Sequence, residues 1–176
     1  AFVAEVANNL VQRQNVVKDG VTFKIDPADD DVEFLASTDI WFRPVNFVNA
    51  PDGTLHVVDM YRETIEHPWS IPDDIREMLD LESGRDRGRL YRLSPPGFKA
   101  PAAPRLGNAS IAELVATLEN PNGWWRETAQ RLLIEREDQT SVAPLKALLR
   151  NSAQPLARVH ALWTLEGLGA LNTEDL

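Results

Sequence analysis

The chain has 176 residues and a formal net charge of −9, which is enough for one ordinary domain or two small ones. The acidic balance argues against nucleic acid as a partner, because a phosphate-binding face needs clustered lysine and arginine. The sequence has no cysteine, which excludes disulfides, thiolate catalysis, Cys-based zinc sites and a covalently attached c-type haem within it. No apolar run approaches the roughly 18 residues that a membrane-spanning helix needs.

Apolar and polar residues alternate with period two in the first half of the chain. Short strands are predicted at "AFVAEVA", "LVQRQNVV", "VTFKID", "VEFLAS", "RPVNFVNA", "TLHVVDMY" and "GRLYRLS". The "PDG" sequence at 51–53 predicts a tight turn between the fifth and sixth of these. A helix near residues 72–82 is predicted before the seventh, capped by Ser70 or Asp73 and ended by Gly84.

A proline-rich stretch, "SPPGFKAPAAPRLGNAS", divides the sequence. Proline and glycine at this density predict a stiff, extended connector. After it the apolar period changes to about 3.6, which predicts helices. The expected domains are therefore a strand-rich region at 1–93 with one helical insertion, a linker at 94–109 and a helical region at 110–176.

Two internal repeats refine the fold class. "AFVAEVANNLVQRQNVV" and "TLHVVDMY … GRLYRLS" each give a strand, a break and a strand, which is typical of β-propeller blades. "LVATLEN" and "WWRETAQRLL" match "LKALLRN" and "LARVHALWTL", which is typical of HEAT-like helix pairs. Arg126 and Arg158 are expected at equivalent positions, facing turns or acidic groups. The expected fold is α+β, with about two incomplete propeller blades followed by HEAT-like repeats.

The segment "FLASTDIWFRPVNFVNAPDGTLHVVDMYRETIEHPWSIP", followed by "DRGRLYRL", resembles the end of the propeller in large membrane-bound dehydrogenases of planctomycetes and related bacteria. In that family a glucose/sorbosone-dehydrogenase-like propeller precedes HEAT-like repeats and a c-type haem domain with a CxxCH motif. The resemblance covers residues 33–93, and residues 110–170 at the level of the repeat. It implies an extracytoplasmic location, periplasmic or membrane-associated, and a parent protein that uses a quinone and haem. With no cysteine, no cofactor is expected in this chain.

Four residues are candidates for a catalytic site: Arg43, Asp59, Arg62 and His67. Arg43 precedes a proline at the start of an expected innermost strand, where it would contact an anion or quinone in the propeller channel. The alternative is an ion pair with Asp39 or Asp59. We expect Arg43→Ala to leave folding nearly intact, because this side chain is the one most free to face the channel.

The other candidates lie at the base of the insertion. Asp59 is expected to accept backbone N–H groups of the adjoining turn, with a base or a calcium ligand as the alternative. Arg62 and Glu66 are spaced so that, together with Asp59, they can fix the base of the insertion by ion pairs and hydrogen bonds. His67 is either structural or part of an acid/base pair with Glu66 or Asp59.

Several other polar and aromatic residues have structural and functional interpretations. Asp29, Asp30 and Asp31 predict a solvated loop, with a calcium site as the alternative. Trp124 and Trp125 form either an exposed binding platform or a seal of the helix pair against its neighbouring module. His56 is expected to be packed and His160 to lie at the surface, and the histidine spacing matches no metal motif.

Two functions follow. The first is a part of a quinoprotein-like sugar or alcohol dehydrogenase that passes electrons to a haem domain outside this chain, with no turnover by the piece alone. The second is a non-catalytic scaffold that binds protein or polysaccharide. Expected partners are proteins that contact the helical repeats, a carbohydrate, and a second copy through exposed strand edges.

Overall fold

The computed structural model describes residues 1–175. Its contacts divide the chain into two compact units, one of Ala1–Val48 with Leu55–Pro95 and one of Asn49–Thr54 with the chain from Pro96 onward. Antiparallel sheets and helices are both present, so the expected α+β class is confirmed. None of the helices within residues 1–175 is long and apolar enough to cross a membrane.

Seven strands form two sheets, and one lies at each of the seven predicted segments. They are β1 (Phe2–Glu5), β2 (Leu10–Asp19), β3 (Thr22–Pro27), β4 (Leu35–Ala36), β5 (Pro44–Asn49), β6 (Leu55–Asp59) and β7 (Arg89–Leu93). In the first sheet β1 pairs with the first part of β2, and β3 with the second part. β4 pairs with Leu10 and Val11, and Val11 is fully buried. Every residue of β3 is exposed, so the packed part of this sheet lies around β1, β4 and the start of β2.

The second sheet has the order β5-β6-β7. β6 and β7 are antiparallel, with Val57 opposite Tyr91 and Asp59 opposite Arg89. Val57 is fully buried. The predicted turn after β5 is present, with Gly53 at φ 85°, in the left-handed region where a residue without Cβ has no steric penalty.

The insertion between β6 and β7 contains less helix than predicted. A 3-10 turn covers Pro68–Ser70, and helix α1 covers only Asp73–Arg76. The predicted extent of 72–82 is therefore wrong. Neither element buries a residue, and without a packed face a short helix does not recover its nucleation cost.

The second unit contains four helices: α2 (Ile111–Thr117), α3 (Gly123–Arg136), α4 (Val142–Asn151) and α5 (Pro155–Gly167). Helix α2 begins with a capping box, in which Ser110 and Glu113 satisfy each other's backbone N–H groups. Helix α2 packs on α3 and α4, and α5 packs on α3 and α4. From Ser94 to Arg105 the chain forms no helix or strand.

The helical core comes from matching positions of the two helix pairs. Leu114 and Leu145 are both fully buried, and so are Leu133 and Leu165. Leu132 and Leu162 pack against this core but are only partly buried. Near the end of α4, Leu149 belongs to the core, and Leu148 is partly buried against it.

Candidate functional site

Asp59 is the buried anchor at the end of β6. Its side chain is 1% exposed, and its Oδ1 accepts the backbone N–H groups of Arg43 and Tyr61, each at 2.8 Å. Tyr61 has a φ of 51°, which is an uncommon conformation for a bulky residue. The expected role of Asp59 as an acceptor of turn N–H groups is therefore confirmed. Its Oδ2 is buried and has no hydrogen-bond partner in the described part of the chain.

Arg43 is held by backbone carbonyl groups. Its Nε donates to Arg62 O at 3.0 Å and its Nη2 to Glu63 O at 2.9 Å. Its Nη1 donates to Val6 O at 3.0 Å and to Ala7 O at 3.3 Å. The guanidinium thus ties the β1–β2 turn to the start of the insertion. Within residues 1–175 these side-chain contacts are all to carbonyl groups, and none is an ion pair with Asp39 or Asp59.

Arg62 and His67 also have backbone partners within the insertion. Arg62 Nη1 donates to Glu82 O at 2.9 Å, so the two ends of the insertion are joined, as expected for Arg62. His67 Nδ1 accepts from the backbone N–H of Trp69 at 3.2 Å, and the two rings meet edge to face. Within residues 1–175 no hydrogen bond or ion pair joins His67 to Glu66 or Asp59. These contacts bring Arg43, Asp59 and Arg62 together at the base of the insertion, whereas the partner of His67 is Trp69.

A cluster that the sequence reasoning missed surrounds Asp39. Asp39 Oδ2 accepts from the Tyr61 hydroxyl at 3.0 Å and lies 4.0 Å from Arg89 Nη1. The Arg89 guanidinium lies over the Tyr61 ring, 3.5 Å from its centroid, in a cation–π arrangement. Hydrogen bonds to the hydroxyls of Tyr91 and Tyr61 raise the pKa of Arg89. Trp41 packs on Tyr61 with ring centroids 5.6 Å apart.

Beside this cluster lies an open cavity of about 580 Å³. Trp41 forms one side of it, and residues 80–87 at the end of the insertion form the other. Gly84 allows the end of the insertion to pass close to Tyr61, because a Cβ at its position would lie 2.3 Å from Tyr61 O. Its φ of 83° is also in the left-handed region. The sequence signal that could have found this site is the set of four arginines in "RDRGRLYR" within an otherwise acidic chain.

Exposed groups of both charges line the cavity. Arg85 lies 3.4 Å from Glu82, and Arg87 lies 3.9 Å from Asp86; the side chains of both pairs are well exposed. Carboxylates accept hydrogen bonds and guanidinium groups donate them. The cavity has nearly equal numbers of carboxylates and guanidinium groups, which favours a neutral ligand with many hydroxyl groups. Trp41 offers an apolar ring surface.

The other candidate residues have structural environments. Asp29 accepts two hydrogen bonds from Arg13, and among the described residues no group of three His, Cys, Asp or Glu side chains could hold a metal ion. His56 lies on β6 and is partly buried, as expected, and its buried Nε2 has no hydrogen-bond partner within residues 1–175. His160 was expected at the surface; this is wrong, because it is partly buried with its Nδ1 2.6 Å from Gln130 Oε1.

The tryptophan pair of the second unit is half-buried. Trp124 and Trp125 meet edge to face with ring centroids 5.7 Å apart. Trp125 Nε1 donates to Pro51 O at 2.8 Å, and Asn122 Nδ2 donates to Ala50 O at 2.8 Å. These contacts fix residues 49–54 within the helical unit.

Arg126 and Arg158 both donate to carbonyl groups near the end of the preceding helix. Arg126 Nη1 donates to Asn120 O at 2.6 Å and to Pro121 O at 2.8 Å. Arg158 Nε donates to Leu149 O at 3.0 Å. The two arginines therefore serve the same purpose, and they satisfy carbonyl groups that a helix end leaves unpaired.

The fold and these sites define an α+β chain with an open polar-aromatic cavity in its strand-rich unit. Residues 1–97 match the model of a domain family described as a domain of unknown function, DUF7133. The chain belongs to this family. Neither the curated proteins nor the solved structures contain a match to it.

Proposed function

We propose that this chain is a non-catalytic binding scaffold, in which incomplete propeller blades carry a carbohydrate site and HEAT-like repeats contact protein. The observation that carries the proposal is the contrast between two sets of polar residues. Arg43 and Arg62 donate hydrogen bonds to carbonyl groups of the insertion, and Asp59 accepts the backbone N–H groups of Arg43 and Tyr61. Arg85, Arg87 and Asp86 instead line an open cavity with exposed polar groups.

The repeat architecture is supported by matched helix pairs. Leu114 and Leu145 are 31 residues apart, Leu133 and Leu165 are 32 apart, and all four are fully buried. Such units bury a face only against a neighbouring unit. The propeller assignment is supported by the antiparallel strands and by the repeat of strand, break and strand.

Carbohydrate binding is tested with neutral and uronate-containing oligosaccharides by isothermal titration calorimetry. We expect neutral oligosaccharides to bind, and Arg87→Gln or Asp86→Asn to weaken binding about tenfold or more, the loss of one hydrogen bond to a charged group. Arg131→Gln is the matched control, because Arg131 is an exposed arginine paired with Glu135 in the other unit. Equal losses from Arg131→Gln, or no binding of any neutral oligosaccharide, would contradict the proposal.

Dehydrogenase activity of a longer, extracytoplasmic parent protein is the second proposal, supported by the family resemblance of residues 33–93. The residues of this chain do not fit its cofactors. The chain has no cysteine for a CxxCH haem site, and the arginine expected at the quinone is engaged with four carbonyl groups. Reduction of dye acceptors by the full-length parent with sugars or alcohols tests this proposal, and an inactive parent would overturn it.

A further inference from the structure

A second cavity, of about 440 Å³, lies on the helical unit beside α4 and α5. Leu149, Pro155, Val159 and Leu162 give it apolar walls, and Arg150 and Arg158 stand at its rim. Positions 155, 158, 159 and 162 repeat at i, i+3, i+4 and i+7 along α5, which is the spacing of a helix-packing face. Val159 is 48% exposed, whereas Ala157 and Ala161, two positions before and after it on α5, are fully buried.

One end of this groove already holds a carboxylate. Asp175 lies 2.7 Å from Lys146 Nζ and 2.9 Å from Arg150 Nη2, and its side chain is 1% exposed. The hydrogen bond from Lys146 lowers the pKa of this carboxyl group. The cationic end of the groove is therefore a carboxylate-binding position.

A second cation extends the charge along the groove. Arg158 belongs to the same wall and is exposed, and its Nε is bonded to Leu149 O. Lys146, Arg150 and Arg158 thus stand together in a chain whose net charge is −9. This local reversal of charge beside an apolar wall is complementary to a segment that is both apolar and acidic.

We propose that the groove between α4 and α5 is a docking site for an acidic amphipathic helix of a partner protein. The apolar face of that helix packs on Val159 and Leu162, and a carboxylate pairs with Arg158. A second carboxylate competes with Asp175 for Arg150. The inference rests on the protein-contact part of the proposed function, and the site is independent of the proposed carbohydrate cavity, so either proposal can fail alone.

The probe is a fluorescein-labelled synthetic peptide with leucines at helical spacing and glutamates on the remaining face. A second peptide has glutamine in place of every glutamate. By fluorescence anisotropy we expect the acidic peptide to bind at least tenfold more tightly, which corresponds to ~1.4 kcal/mol. Added salt should reduce this difference. Equal affinity of the two peptides, or no binding of either, overturns the proposal.

Variants locate the binding. Arg158→Gln should weaken the acidic peptide several-fold and leave the glutamine peptide unchanged, whereas Arg158→Lys should retain most of the affinity. Asp175→Asn should strengthen binding, because a competing carboxylate is removed. Val159→Asp should abolish it; if circular dichroism shows that this variant is unfolded, Arg158→Gln and Asp175→Asn decide. Arg131→Gln, outside the groove, should have no effect, and an equal loss there overturns the assignment.

Analytical ultracentrifugation tests whether a second copy of the chain, rather than a partner helix, occupies the groove. If a second copy of the chain covered the groove, the mass would rise with concentration and Val159→Asp would return it to that of one chain. That result would overturn the proposal of an acidic partner helix.

Discussion

Arg43 and Asp59 hold the same junction through different groups. Removing the Arg43 guanidinium leaves the carbonyl groups of Val6, Arg62 and Glu63 without their donor. Hydrogen bonds to charged groups each contribute roughly 1.5–3 kcal/mol, so Arg43→Ala and Asp59→Ala should each reduce the free energy of unfolding by about 2–4 kcal/mol. Urea denaturation measures this. Arg87→Ala, at an exposed arginine of the same unit, should stay within about 0.5 kcal/mol of the unchanged chain.

This prediction replaces the one that the sequence suggested for Arg43. From its residue type and its position at the start of a strand, Arg43 was expected to face a channel. The acceptors that hold it lie as far away as Val6 and Glu63 in the sequence, and only the folded chain brings them together. If Arg43→Ala proves as stable as the unchanged chain, the carbonyl contacts contribute no stability. The sequence-based expectation that Arg43 can be replaced without loss of folding would then be correct.

His160 makes the helical unit sensitive to mild acid. Burial lowers the pKa of His160, and the nearby Arg126 charge acts in the same direction. In the unfolded chain His160 binds a proton near pH 6.5. In the folded chain the imidazole stays neutral until the pH is lower. Stability of the helical unit should therefore fall as the pH drops below about 6.5, and should not depend on this group at higher pH.

The measurement is urea denaturation at pH 7.5 and pH 5.5, followed by the circular dichroism signal of the helices. His160→Gln should reduce the difference between the two pH values. His67→Gln, at an exposed histidine of the other unit, should leave it unchanged. A difference that persists in full in His160→Gln would mean that another group is responsible.

At the scale of elements, α3 and α5 provide a test of the helical repeat. Leu133 and Leu165 occupy matching places and are both fully buried. If the two helix pairs are equivalent, Leu133→Ala and Leu165→Ala should cost similar amounts, about 2–5 kcal/mol each. Leu156→Ala, at a side chain that is 57% exposed on α5, should cost under about 1 kcal/mol. Thermal or urea unfolding followed by circular dichroism compares the three, and clearly unequal costs at the matched leucines would contradict the repeat.

Elements with a regular apolar period could be predicted from sequence, and those without one could not. The seven strands were found from their alternation, which in β2 and β6 places Val11 and Val57 in the core, although β3 has every residue exposed. The insertion was misjudged because "DDIREML" has helical spacing but no partner: Ile75 is 44% exposed and Met78 is 78% exposed. The cavity beside Trp41 escaped prediction for another reason, since its two sides are about 40 residues apart and meet only where Gly84 passes Tyr61 O.

At the scale of the whole molecule, the helical unit is discontinuous in sequence. Residues 49–54 belong to it, held by Asn122 and by Trp125. Trp125→Phe keeps an aromatic ring but removes the N–H donor and the five-membered ring of the indole, so the unfolding free energy should fall by about 1 kcal/mol or more. Urea denaturation measures the change. Trp163→Phe, at a ring that is 59% exposed, is the matched control and should have a smaller effect.

The discontinuity also sets an order of events during synthesis. The two hydrogen bonds from Asn122 and Trp125 span 72 and 74 residues, and contacts of long sequence separation slow folding. The segment at 49–54 leaves the ribosome well before its helical partners, and it must stay available until α3 has formed. A nascent chain paused between these points would therefore expose backbone groups that the finished protein covers, and this interval is where a chaperone or a protease would find it.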